Sequence, residues 1–127
     1  MKLLLDTHVF LWSTSSPRKL SSAAAAALTH PSNERLLSVI TPWEIVIKSQ
    51  IRRLTLHQPI DPIIAAQLAN GLSLLPVRYE HVIALRSLAL IHRDPFDRML
   101  AAQAIAEGAV LVTADRIFAK YPIQTLW

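Results

Sequence analysis

Residues 94–115, DPFDRMLAAQAIAEGAVLVTAD, decide the fold. Pro95 suits the first position of a helix, where its missing amide hydrogen does no harm. Gly108 suits the residue just past the end of one. Pro95–Glu107 is therefore predicted as a single helix. The run 109–113, AVLVT, is β-rich, and Asp115 comes straight after it. A helix delivered directly into a short apolar strand is the second half of a crossover in a parallel sheet.

The same alternation continues outward. KLLL at 2–5 is short and apolar, as a buried strand is, and a helical piece around His8–Trp12 follows it. LSSAAAAAL supports a helix near Ser21–Thr29, because alanine is the best helix former. RLLSVI at 35–40 reads as a strand. A helix is then predicted from Pro42 to about Leu54, with Trp43, Ile47, Ile51 and Leu54 on its buried stripe. Asp61-Pro62 opens a further helix that Gly71 stops. A strand at 72–77, a helix over 78–90, a helical turn or two over 115–121 and an edge strand at 123–127 complete the pattern. The expectation is one α/β domain over residues 1–127, built on a mostly parallel sheet with helices in its crossovers.

The composition narrows the chemistry. The chain has 127 residues, 52% of them hydrophobic, enough for one cored domain. It has no cysteine, which excludes disulfides and thiolate metal sites. The start, MKLLLD, is basic then apolar, but Asp6 ends the apolar run too early for a signal peptide, and no run reaches membrane-spanning length. A cytoplasmic protein is expected. Thirteen Lys and Arg against nine Asp and Glu give +4 and a pI near 10.0, a balance that suits an anionic partner such as nucleic acid.

The nine acids are not scattered evenly. Asp6, Glu44 and Asp115 each follow a predicted strand, and Asp97 stands in the first turn of its own helix. Ligands bind beyond the carboxyl ends of the strands in an open parallel sheet, so the first three acids crowd toward that edge, and Asp97 joins them if its helix packs with its N-terminus pointing the same way. Carboxylates at close range repel and lose hydration. A hard divalent cation, Mg²⁺ or Mn²⁺, lets them coexist because it takes oxygen ligands. Such an ion also lowers the pKa of bound water and steadies a leaving oxygen.

A plainer reading competes with this one. Thr41-Pro42-Trp43-Glu44 and Asp94-Pro95-Phe96-Asp97 share one pattern, and both fit a capping arrangement at a helix start. Acids are favoured there for the unpaired amides and the macrodipole alone.

Four stretches, LLLDTHVFLW (3–12), WEIVIK (43–48), HRDPFDRMLAAQA (92–104) and VLVTADRIF (110–118), resemble PIN-domain ribonucleases, specifically the VapC-like toxins of bacterial toxin–antitoxin pairs. They stand in the family's order and span nearly the whole chain. The resemblance implies a three-layer α/β/α sandwich and an Mg²⁺- or Mn²⁺-dependent endoribonuclease that hydrolyses RNA phosphodiester bonds. It places the family's four acids on Asp6, Glu44, Asp97 and Asp115. It also implies a homodimer silenced by a cognate VapB-like antitoxin. Relatives carry serines six and three residues ahead of the glutamate; here Ser38 fits and Thr41 replaces the second.

Arg98 and Arg116 each follow one of the four acids, and Lys48 and Arg52 lie one and two turns beyond Glu44. All four are candidate phosphate contacts, although Glu44 with Lys48 is also an ordinary i,i+4 ion pair. His8, His30, His57, His81 and His92 show no ligand spacing, and Trp12 and Trp43 are expected in the core. Two other functions remain open on the residues. One is a phosphatase or phosphoacceptor with Asp6 as nucleophile, which a trapped phosphoryl-aspartate would reveal. The other is a non-catalytic PIN-like binding module whose acids only cap helices, for which calorimetry would find no divalent-ion binding.

Overall fold

The computed structural model describes residues 1–127. Its strands are β1 (Lys2–Leu5), β2 (Glu34–Ser38), β3 (Ser73–Leu75), β4 (Val110–Val112) and β5 (Thr125–Leu126). The helices are α1 (Thr7–Ser15), α2 (Ser22–Thr29), α3 (Ile40–Gln50), α4 (Ile60–Ala69), α5 (Tyr79–Ala84) and α6 (Pro95–Glu107), with short 3-10 turns at Pro17–Lys19, Leu85–Ser87 and Arg116–Lys120. All strand pairs are parallel, in the order β3-β2-β1-β4-β5.

β1 is central because it is apolar on both faces, as a doubly covered strand must be. Leu3 and Leu5 point to one side, into a core with Val9, Phe10, Ala24, Leu28, Leu37 and Ile45. Leu4 points to the other, into a core with Leu36, Leu100, Leu111 and Phe118. The first core is roofed by α1, α2 and α4, the second by α5 and α6, so three layers form as expected. α3 serves both: Ile40 belongs to the second core and Ile45 to the first. No helix is long and apolar enough to cross a membrane.

The chain leaves β1 toward β2 and β3, then returns to the other side of β1 as β4. Strand order reverses between β1 and β4, and a crevice opens at the carboxyl ends of the strands there. Asp6 and Thr113 stand at that crevice, one residue beyond β1 and β4.

α6 matches its sequence reading. Asp94 Oδ1 accepts from the amides of Phe96 and Asp97, at 2.8 and 3.4 Å. Gly108 closes the helix at φ +60°, where a side chain would be strained. α3 does not match. It begins at Ile40, so Pro42 is its third residue and no capping box forms at Thr41. Ser38 takes the role instead, its Oγ accepting from the Ile40 amide at 3.1 Å. Proline is harmless at that depth because the first four amides of a helix have no partner. The expected stripe is displaced too: Trp43 and Ile51 are each 57% exposed, while Ile40, Thr41, Glu44 and Ile45 face inward. The predicted helix over 78–90 ends early, at Ala84, and passes into a 3-10 turn.

His81 holds α5 against the far end of α6. Its Nδ1 accepts from the Arg78 amide at 2.9 Å, so Nε2 carries the hydrogen and donates to Glu107 Oε2 at 2.9 Å. The ring is fully buried. Glu107→Ala strands that buried N–H, and the expected loss is about 1–3 kcal/mol, read as a lower urea midpoint. The His81 hydrogen bond also lowers the Glu107 pKa. This support is present above the ordinary value of 4.5 and is lost as pH falls through the lowered one.

Candidate active site

Asp6 leaves β1 and caps α1. Its Oδ1 accepts from the Thr7 amide and its Oδ2 from the Thr113 hydroxyl, both at 2.7 Å. Burial pushes the Asp6 carboxyl up against the pull of these two bonds, and the charge of Glu44 adds to the rise. Thr7 turns its hydroxyl the other way and donates to Glu44 Oε1 at 2.7 Å, with the Thr41 hydroxyl 3.3 Å from its own. Thr113 Oγ1 also accepts from the Asp115 amide at 3.0 Å. Two threonines therefore tie the strand-end acids together: Thr7 joins Asp6 to Glu44, and Thr113 joins Asp6 to the backbone of Asp115.

Asp97 faces this group from the first turn of α6. No hydrogen bond reaches its half-buried carboxylate. Its pKa is pushed up to about 7, first by burial, then by the charges of Asp94 and Asp6, with Glu44 adding and His92 opposing. Lys48 is the one cation bound to the group. It pairs with Glu44 Oε2, which raises its own pKa, and Asp94 and Asp97 contribute to that rise. One ammonium does not offset three converging carboxylates. The donor set is all hard oxygen, and Asp97 has its lone pairs free, so these residues fit Mg²⁺ or Mn²⁺.

Asp115 is held differently. Its Oδ1 accepts from the Ile117 amide at 2.9 Å, and its Oδ2 lies 3.1 Å from His92 Nε2. The Tyr121 hydroxyl accepts from the His92 amide at 3.0 Å, which leaves its own hydrogen for His92 Nδ1, also at 3.0 Å. His92 Nε2 then carries a hydrogen toward Asp115. The two rings stack at 5.5 Å and 10°. The structure thus brings Asp6, Glu44 and Asp97 into mutual electrostatic reach and sets Asp115 beside them, its carboxylate turned to His92.

The basic residues divide. Lys48 is committed to Glu44. Arg98 is turned away from the acids: its Nη2 lies 3.4–3.5 Å from the Leu85 and Leu88 carbonyls, which solvate a half-buried guanidinium. Arg116 and Arg52 are exposed. Trp43 is not in the core; it meets Phe96 edge-on at 5.2 Å, so the aromatics beside Glu44 and Asp97 clamp α3 to α6. Trp12 is half-buried between His8 and Trp127.

The tightest group of ligating atoms lies elsewhere. Glu80, His81 and Glu107 have theirs within 4.8 Å of one another. Glu107 ends the helix that Asp97 begins, and ten residues of helix are roughly 15 Å. His81 is already spent on its two hydrogen bonds, so this group is a structural lock rather than part of the acidic crevice. The sequence reading gave no role to Thr7, Thr113 or Tyr121 and set His92 aside for want of ligand spacing. The first two carried a signal, each being within two residues of a strand-end aspartate. The last two did not, since 29 residues separate them.

The family described as PIN domain matches residues 3–124. The chain belongs to the PIN domain family. This PIN domain is 33% identical over 125 residues to Ribonuclease VapC22 of Mycobacterium tuberculosis, covering 90% of this chain and 87% of the relative. Its fold is similar to the VapBC2 structure from Rickettsia felis bound to a promoter DNA fragment, with TM-score 0.71, 17% identity, and 99% and 98% of the two chains covered. It is similar as well to DNA-bound VapBC from Salmonella typhimurium, with TM-score 0.69, 20% identity, and 99% and 97% covered. The PIN-like α/β/α sandwich expected from the sequence is the fold that is found.

Proposed function

We propose that this PIN domain is a metal-dependent endoribonuclease, the toxin half of a toxin–antitoxin pair, which hydrolyses RNA at the crevice of Asp6, Glu44, Asp97 and Asp115. The observation that carries this is the Asp97 carboxylate: unpartnered, half-buried and pushed to about 7 beside Asp6 and Glu44. The ribonuclease VapC22 supports the substrate class.

Asp6 and Asp97 would hold Mg²⁺ or Mn²⁺ directly, with Glu44 and Asp115 completing the set directly or through water. When bound, such an ion supplies a water of lowered pKa and balances charge on the phosphoryl oxygens. The chain's own groups do the rest. Thr7 and Thr113 fix the rotamers of Asp6 and Glu44 through the hydrogen bonds above. Lys48 pairs with the Glu44 carboxylate. Once the four acids are neutralised, thirteen basic residues face five other acids, and Arg116 and Arg52 are free to meet phosphates along the strand. Water adds to phosphorus, the P–O bond to the leaving nucleotide breaks, and a carboxylate oxygen of the set takes the water's proton.

With this reading go a VapB-like antitoxin over the crevice, which the likeness to VapBC structures supports, a second copy of this chain in a homodimer, and RNA in the cytoplasm. Purified chain with total RNA and Mn²⁺ or Mg²⁺ is expected to give discrete new 5′ ends at single-stranded loops, and EDTA to prevent them. Intact RNA in the presence of either ion would sink this reading.

His92 gives a finer expectation. His92→Ala frees Asp115 and should lower cleavage by about tenfold while raising the Mn²⁺ needed for half-maximal rate. Tyr121→Phe keeps the stack and removes one proton donor, so its loss should be smaller. The check is a Mn²⁺ titration of the cleavage rate for each variant.

A further inference from the structure

Three adjoining cavities follow the segment between α3 and α4, all of them lined by Leu54. The smallest, about 230 Å³, begins at Thr7 and Lys48, the two side chains that hold Glu44. It shares His8 and Leu11 with a deeper one of about 640 Å³ between α1, residues 54–58 and α4. The line of cavities therefore starts at two side chains that bond Glu44 and leads away from them.

The lining has one sign. Not one of the chain's nine acids contributes to any of the three cavities, whereas Lys19, Lys48, Arg52 and Arg53 do, together with His8 and His57. The deeper cavity also mixes surfaces in the way a nucleobase requires. Trp12, Leu11 and Ile63 offer apolar faces, and Thr14 and Gln67 offer hydrogen-bonding groups at the edges. Its volume falls within the usual range for small-ligand sites, about 300–1,000 Å³.

We propose that this groove is the channel for the RNA strand on one side of the scissile phosphate, and that the deeper cavity seats one unpaired base against Trp12. The inference rests on the ribonuclease reading above and names how the same site holds its substrate. A strand that presents a phosphodiester to the acids must leave over a surface that does not repel it, and this groove is an acid-free path that begins at the side chains bonded to Glu44. Base stacking on an aromatic ring tolerates any base. Selectivity therefore comes from the edge contacts and from the need for an unpaired nucleotide.

Ala66 lines the deeper cavity from α4 and is exposed, so Ala66→Phe fills the cavity without touching the acids. His57→Glu places an acid in the lining. The test is binding of a fluorescein-labelled single-stranded oligoribonucleotide in EDTA, read by anisotropy, alongside Mn²⁺-dependent hydrolysis of bis(p-nitrophenyl) phosphate, which reaches only the acids. Each variant is expected to weaken RNA binding by about tenfold or more and to leave hydrolysis of the small diester within about twofold, with an unchanged circular-dichroism spectrum as the folding control. Unchanged RNA affinity in both variants overturns the channel. So does a loss confined to binding of a VapB-like antitoxin, since the groove would then be a protein site. If the unmodified chain hydrolyses no diester, the nuclease reading fails, while the anisotropy arm still decides whether RNA occupies the groove.

Discussion

Asp97→Asn is expected to reduce RNA cleavage by about 10³-fold or more and, in the same protein, to stabilise the metal-free fold. The loss follows from the donor set. Asp97 is the acid with no hydrogen bond, so its charge is the one most available to an ion, and an amide oxygen binds a hard cation far less well than a carboxylate. Removing one preorganised electrostatic group at a phosphoryl site commonly costs about 10²–10³ in rate, and losing an ion costs more. The gain comes from the same crowding. A carboxyl whose pKa rises from 3.8 unfolded to about 7 folded destabilises the fold when ionised. Its neutral isostere should stabilise by about 1–2 kcal/mol at pH 7.5, after allowance for solvent screening at a partly exposed group. RNA cleavage and urea denaturation in EDTA measure the two effects. A variant that cleaves normally, or is less stable without metal, would remove Asp97 from the site.

The second large effect concerns pH and metal together. Without metal, Asp97 contributes stability that is full below its unfolded value of 3.8 and is lost as pH rises through about 7. Asp6 is shifted in the same direction. The metal-free protein should therefore become more stable as pH falls from 8 to 5, before the weakening of Glu107 sets in below 4.5. With Mn²⁺ the slope should reverse, because protons and the cation compete for the same oxygens. At an ion concentration about 100 times Kd the stabilisation is about 2.7 kcal/mol, on the order of 10 °C in Tm for a domain this size. Differential scanning calorimetry at pH 5 and pH 8, with and without Mn²⁺, reads both slopes. Parallel curves would mean that the acids hold no ion.

The sheet was legible in the sequence because β1, β2 and β4 contain short apolar runs, and KLLL is apolar on both faces. α6 was legible from Pro95 and Gly108, whose backbone limits are local. α3 was not. Four residues of proline-aromatic-acid pattern occur at both helix starts, but Ser38 captured the Ile40 amide and drew the first start two residues upstream. The stripe of Trp43 and Ile51 failed for a related reason: α3 serves both cores, so its inward face is the one bearing Ile40, Thr41, Glu44 and Ile45. Of the site, Asp6, Glu44 and Asp115 could be singled out after predicted strands and Asp97 in a helix's first turn, and the structure adds how Asp6, Glu44 and Asp97 meet. The ties could not be read, because Thr113 meets Asp6 and Tyr121 meets His92 only through the fold. Arg98 illustrates the opposite error, since adjacency to Asp97 in sequence placed its side chain on another side of the helix.

The bond from Thr113 to Asp6 spans 107 positions, and the strand that Asp6 terminates is flanked on one side by β4, which is made long after it. A chain emerging from the ribosome offers its first aspartate long before the segment that orients it exists. The proposed site is thus completed only after Thr113 has emerged and β4 has paired with β1, which delays any activity there during synthesis.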